Sequence, residues 1–402
     1  MIGALASALR LKDLRARLIY TALLLAVFRI GAYIPVPGVD ASKLVQMFGE
    51  GGLFSLLDMF AGGALKKFTV FAMGVNPYIT ASIIIQLLTV VIPSLEALAK
   101  EGIEGRKKIA QYTRYGTLVL GVIQAFGITM AIRGALDDTS ALSIWLIITT
   151  LTAGTMFLMW LGEKISEYGV GNGISLIIFA GIVARIPAGA HMTALTIGRG
   201  GISPLNVIFF LVLALASVVA VIWIQEGQRR IPVQYPKRVV GRRVYGGQST
   251  HIPLRVNQAG VIPVIFASSV LAFPMTIAQF IPRFHFLRDW VASGSLTYIL
   301  AYALLVIFFT YFYTAITFNC VEIANNMKKY GGFIPGLRPG RPTVEYLDRV
   351  LTRITLVGAV FLAIIAILPN IMTGLTNIQS IYFGGTALLI VVGVALDTMK
   401  QI

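Results

Sequence analysis

The residues best suited to chemistry in this chain are few, and their spacing argues against most uses. His191, His251 and His285 lie far apart, with no thiol or carboxylate at ligand spacing, so no metal centre is expected. Cys320 is alone and can close no internal disulfide. Gly169, Gly171 and Gly173, in EKISEYGVGNG, suggest a dinucleotide loop. The third glycine falls one residue early for GxGxxG and no βαβ pattern surrounds it, which leaves a tight turn. There is no GxxxxGK[ST] phosphate loop, and the apolar stretches hold no Ser/His pair, paired Asp or HExxH arrangement. The expectation is therefore a protein that is not an enzyme and uses no cofactor, with any work supplied by a partner.

What must position the remaining residues is a membrane. The 402 residues are 57% hydrophobic and 12% charged, against roughly a quarter charged in soluble chains. Since about 20 apolar residues span a bilayer, apolar runs at 18–34, 75–92, 112–132, 143–161, 174–186, 204–224, 259–281, 296–318, 350–368 and 381–396 predict ten transmembrane helices. Apart from ends that can snorkel, Arg29 is the one charge within them. The net charge of +16 would point to nucleic acid in a soluble protein. Here it follows first from the enrichment of cytoplasmic loops in Lys and Arg. With the N-terminus inside, 24 of the 33 Lys and Arg fall on the cytoplasmic side and 8 outside, so both termini are expected in the cytoplasm.

Residues 1–17 set Leu5, Leu9 and Leu14 among basic residues, a pattern for a short interfacial helix, and lack the layout of a cleaved signal peptide. The spans divide into an N-terminal half, 18–199, and a C-terminal half, 200–402, with five each. An odd number per half makes the halves enter the membrane from opposite sides, the arrangement of inverted repeats, whose working site lies between them.

Four segments carry more than span-forming character. GLFSLLDMFAGGALKKF, at 52–68, is too short to cross a bilayer and too apolar for an ordinary exposed loop. It is either an external amphipathic loop or a re-entrant half-helix broken by Gly62 and Gly63, since such segments survive at membrane depth when buried in protein. The next span opens with Pro77 near its start, where a missing N–H is tolerated. It then carries Thr80, Ser82 and Gln86, whose usual role is hydrogen bonding between helices. The cytoplasmic loop 225–257 alternates β-branched and aromatic residues about Gly246 and Gly247, predicting a β-like excursion. The loop 319–349 presents Arg338 and Arg341 on a tip stiffened by Pro and Gly. Solvated positive-inside loops would explain the charge; the stiffening and the aromatics favour a docking surface, and the planar fork of Arg suits one.

Five stretches together make the chain resemble the bacterial SecY family: GGALKKFTVFAMGVNPYITASIIIQLLTVVIP, WLGEKISEYGVGNGISLIIFAGIV, EGQRRIPVQYPKRVVGRRVYGGQSTHIPLRVNQAGVIPVIFASS, NNMKKYGGFIPGLRPGRPT and FGGTALLIVVGVALDTMKQ. The likeness covers essentially the whole chain in order. It departs at the end, where the family usually continues as a basic cytoplasmic tail and this sequence stops at Ile402.

The resemblance implies an all-α membrane protein of ten transmembrane helices in two inverted halves, with a plug half-helix. It would be a protein-conducting channel of the bacterial inner membrane that also releases transmembrane segments sideways into lipid. The aliphatic ring that seals such a pore would fall on Val75, Ile79, Ile174, Ile178, Ile265 and Ile390; a narrow apolar constriction excludes ions by dewetting. Residues 53–67 would be the plug, with Leu53, Phe54, Phe60, Gly62 and Gly63. Gln86 and Asn257 would belong to the lateral gate, and Arg242, Arg243 and Arg338 to the docking site for the ribosome and the SecA motor. Other implied partners are small SecE-like and SecG-like membrane subunits, signal sequences, unfolded polypeptides and the lipid bilayer. A secondary transporter shares inverted repeats and broken helices; proton-coupled carriers bury Asp, Glu or His in their spans, and these spans bury none.

Overall fold

The computed structural model describes residues 11–40, 43, 64–65, 67–198, 203–235, 238–240, 243–245, 249–280, 295–376 and 385–401. Apolar runs become helices here because a helix pairs every backbone N–H and C=O within itself, the condition lipid imposes. Helix α1 is Lys12–Gly31. Helices α2 (Asn76–Val91) and α3 (Pro93–Lys100) meet at a 100° bend, where Pro93 removes a donor from the ladder. Next come α4 (Ile103–Ala131), α5 (Ala141–Tyr168), α6 (Gly173–Val183) and α7 (Ile186–Gly198). The second part holds α8 (Pro204–Glu226), α9 (Ile262–Phe280), α10 (Leu296–Thr317), α11 (Cys320–Lys329), α12 (Arg341–Thr376) and α13 (Gly385–Gln401). Side-chain caps at Ser140, Asn172, Ser203, Ser295 and Asn319 satisfy donors at the helix starts.

Among the described residues five helical stretches are long and apolar enough to cross a membrane (α5, α6 with α7, α8, α10 with α11, and α12), or six if the bent pair α2–α3 counts as one. Two of the remaining apolar helices are short, α2 with 16 residues and α13 with 17. In α1, the cations Arg15, Arg17 and Arg29 interrupt the apolar stretch. The run expected to end near 186 continues through α7. Pro187 sits in the first turn of that helix, where its missing N–H costs little, and Gly189 N donates to the Arg185 carbonyl at 3.0 Å. The polar residues within the spans mostly serve their own helix. Thr80 donates to the Asn76 carbonyl at 3.0 Å, and Thr117, Thr129, Thr310 and Thr314 likewise bond four residues back. For Thr80 this replaces the expected bond between helices.

One hydrophobic core joins both parts, drawing buried residues from α1, α2, α5, α6, α9, α10, α12 and α13. Helix α9 packs against α2 and α4 on one side of the molecule; α6 packs against α13.

The loop after α8 forms the predicted β excursion. Strands β1 (Gln228–Gln234), β2 (Arg238–Val240), β3 (Arg243–Tyr245) and β4 (Ser249–Arg255) make two antiparallel pairs, β1 with β4 and β2 with β3. Ile231 and Val233 are buried between exposed Arg230, Pro232 and Gln234, the period-two pattern of a strand with one covered face. What covers it is the second loop. Ile231, Val233 and Leu254 share a separate core with Met327, Ile334, Leu347 and Leu351. Gln234 and Phe333 also exchange both backbone hydrogen bonds, at 2.9 and 3.0 Å. The two excursions, which the sequence presents as separate loops, are one packed body.

Candidate functional site

Six aliphatic residues singled out by sequence come from four elements. Val75 is the N-cap of α2, and Ile79 N donates to its carbonyl at 3.0 Å, one turn on. Ile174 and Ile178 stand one turn apart on α6; Ile265 is on α9 and Ile390 on α13. Val75, Ile79, Ile178, Ile265 and Ile390 are at most 6% exposed and belong to the single core, against which Ile174 packs half-buried. β-Branched side chains have few rotamers, so this packing is stiff.

The approach of α6 to α5 depends on two glycines. A Cβ at Gly162 would strike the Ile174 side chain, and one at Gly173 would strike the Gly162 carbonyl. In the turn between the helices, Gly171 adopts φ +83°, a conformation side chains disfavour. Its N–H donates to Gln401 Oε1 of α13 at 2.9 Å, while Val170 N donates to Thr21 Oγ1 of α1 at 3.1 Å. The expected tight turn is thus also a stitch between α5–α6 and the two ends of the chain.

Four of the six residues, Ile79, Ile174, Ile178 and Ile265, line one cavity of ≈ 1020 Å³. Its walls differ in chemistry. On one side α9 and α10 supply Ile262, Phe266 and Tyr313, the Phe266 ring meeting Tyr313 edge-on at 6.5 Å. The cavity is lined as well by Tyr78, Ser82 and Gln86 of α2, with Arg114 of α4 and Glu163 of α5. Arg114 Nε and Glu163 Oε1 are 2.9 Å apart, and Lys164 pairs with Glu167 at 2.8 Å on the same wall. The arrangement offers an electrically mixed chamber lined in part by buried aliphatic side chains.

The other expected site residues are more dispersed. Gln86 is half-buried on the cavity wall. Asn257 is 5% exposed just before α9; its Nδ2 donates to the Gly260 carbonyl at 2.9 Å, and its Oδ1 has no partner among the described residues. Arg338 is exposed, and Thr343 Oγ1 holds its carbonyl at 2.9 Å. Arg243 is described only in the backbone of β3, and Arg242 lies outside the described residues. So do Leu53, Phe54, Phe60, Gly62 and Gly63. The chain that follows them is firmly held: Ala64, Leu65, Phe68 and Thr69 are at most 1% exposed, and Val36 N donates to the Phe68 carbonyl at 2.9 Å.

A sequence profile of the SecY family matches residues 69–399. The protein translocase subunit SecY of Thermotoga maritima is 48% identical over 414 residues, covering 100% of this chain and 95% of that one. The chain belongs to the SecY family. Solved structures agree with it in fold. A protein-conducting channel matches with a TM-score of 0.69 at 18% identity, over 97% of this chain and 92% of that one. Sec61 in a canine ribosome–channel complex from the endoplasmic reticulum matches with a TM-score of 0.65 at 17% identity, over 97% and 92%. As a SecY-family member the chain is a membrane channel subunit rather than an enzyme. The part of this SecY-family site that sequence reasoning missed is the charged wall. Glu163 opens the EKISEYGVGNG stretch read only as a turn, and Arg114 counted only toward orientation. Their pairing across 49 positions of sequence has no local signal.

Proposed function

We propose that this chain is the central, protein-conducting subunit of a translocon. Unfolded polypeptide enters the ≈ 1020 Å³ chamber and passes the six-residue ring to cross the membrane. The observation that carries this reading is the burial of Val75, Ile79, Ile178, Ile265 and Ile390 in one core, of which Ile79, Ile178 and Ile265 also line the chamber. An apolar waist holds back ions because wetting it is costly, yet asks a passing chain to break no specific bond.

In the same reading the ten apolar runs are ten spans, in two inverted halves at 18–199 and 200–402, with both termini in the cytoplasm of a bacterium. Residues 53–67 form the plug on the outer side, and the burial of Ala64, Leu65, Phe68 and Thr69 supports a fixed root at its end. The α2/α4 against α9 contact is the lateral gate, with Gln86 and Asn257 as its polar members. The orphan Oδ1 of Asn257 supports a gate whose closed form leaves a polar group unsatisfied. The fused cytoplasmic excursions, bearing Arg242, Arg243 and Arg338, dock the energy source. One solved relative in fold is bound to a ribosome, and a SecA-like motor is the second partner. SecE-like and SecG-like subunits complete the assembly.

The direct test is crosslinking from single cysteines. At Ile79 and Ile265, they should trap a polypeptide stalled in transit through active channels, whereas a cysteine at lipid-exposed Leu215 should not. If neither ring position traps the stalled chain, the pore assignment is wrong.

A further inference from the structure

Four charged residues line the chamber: Arg114, Glu163, Lys164 and Glu167, two of each sign. Each acid is matched to a base, Arg114 with Glu163 at 2.9 Å and Lys164 with Glu167 at 2.8 Å. The first pair bridges α4 and α5, whereas the second lies within α5 three residues apart. Neither member of the first pair is sealed away: the Arg114 side chain is 50% exposed and that of Glu163 28%. Arg114 bonds Glu163 through Nε, and both residues line the chamber that a polypeptide would occupy. The same chamber is lined by Ile262, Ile265 and Phe266, which screen poorly. Uncompensated charge here would therefore act on a segment passing through the chamber, most strongly within the roughly 8–10 Å over which salt screens.

We infer that the Arg114–Glu163 pair determines charge specificity, holding the chamber neutral so that segments of either sign pass at similar rates. This rests on the channel reading above. Neutralising Glu163 leaves Arg114 uncompensated, which repels Lys- and Arg-rich segments and draws acidic ones. Neutralising Arg114 does the reverse. A pair that merely ties α4 to α5 would slow all substrates alike when broken, whatever their sign. The sign of the effect separates the two roles.

The experiment uses the channel with its native partners, reconstituted in vesicles, and one preprotein whose early mature region carries a short stretch of Lys, Gln or Asp. The quantity read is the ratio of translocation rates for the Lys and Asp substrates. Glu163→Gln should lower that ratio roughly three- to tenfold, and Arg114→Gln should raise it by a similar factor, both shifts shrinking with added salt. The doubly neutral protein and the exchanged pair, Arg114→Glu with Glu163→Arg, should return the ratio to within about twofold of the original. Should either single variant fail to assemble, Glu167→Gln uncovers Lys164 on the same wall and must shift the ratio in the direction of Glu163→Gln. Shifts of equal sign for the two single variants, or no shift while the unaltered channel transports all three substrates, overturn the inference. Failure of the unaltered channel to move any of the preproteins would instead overturn the channel reading beneath it.

Discussion

At the scale of single residues, the proposed function divides the work between aliphatic side chains that exclude water and arginines that remain in it. Ile390 is fully buried within the common core, and Ile390→Asn places an amide where water is otherwise excluded. Wetting then costs less, so the closed state weakens relative to the open one. A shift of about 1.4 kcal/mol changes that balance roughly tenfold. Vesicles bearing the variant should leak ions at rest and pass substrates with defective signal sequences more readily. Leu215 of α8, 67% exposed on the lipid side of the proposed arrangement, is the control: Leu215→Asn should impair insertion or stability without opening a leak. The Arg338 side chain is exposed, so charge reversal there should spare folding. Arg338→Glu is expected to express normally yet lose motor-driven translocation; undiminished transport would exclude that residue from docking.

Among the elements, the turn between α5 and α6 shows how backbone geometry serves a site made of side chains. Gly162 and Gly173 bring the helices close enough for Ile174 to reach the ring region, and Gly171 allows the N–H that meets Gln401. Of the glycines that suggest a nucleotide loop, Gly173 serves helix–helix approach, Gly171 the left-handed turn and Gly169 the contact with Thr21. A second element-scale expectation concerns 53–67. Its end is pinned at Ala64 and Leu65, and just beyond it Phe68 is buried and holds φ 43°, a left-handed conformation unusual for a bulky residue. A segment with a rigid root can leave and return without disturbing α2. Deleting 53–67 should raise resting ion conductance in single-channel recordings, at least transiently. A deletion with the conductance of the intact protein would reduce the segment to a loop.

Among the described residues the two largest hydrophobic cores are separate: the one that joins the long helices, with five residues of the proposed ring, and the smaller one under the strands. Leu347, at the start of α12, is fully buried in the second and absent from the first. Leu→Ala at such a site typically costs about 2–5 kcal/mol, and here the loss should fall on the docking body. Leu347→Ala is expected to weaken ribosome and motor binding severalfold while resting vesicles stay ion-tight. Equal loss of binding and of sealing would mean the two bodies fold as one cooperative unit. The link at Gln234 and Phe333 adds to the shared core in holding the two basic excursions together, so a partner gripping both loses less entropy in ordering them.

Hydropathy and charge asymmetry sufficed for the membrane class, for the positions of most helices, and for the β excursion, because each is a local property of composition or period. The motif likeness alone placed six aliphatic residues in one ring, and the tertiary structure brings five of them into one core with the sixth against it. What only the fold decided are contacts between distant positions: Arg114 with Glu163, Gly171 with Gln401, Gln234 with Phe333, and Thr21 with Val170. None has a sequence signature, since an arginine facing a glutamate 49 positions on reads the same as two unrelated surface charges. The chamber's charged wall became visible only when α4 and α5 were laid side by side.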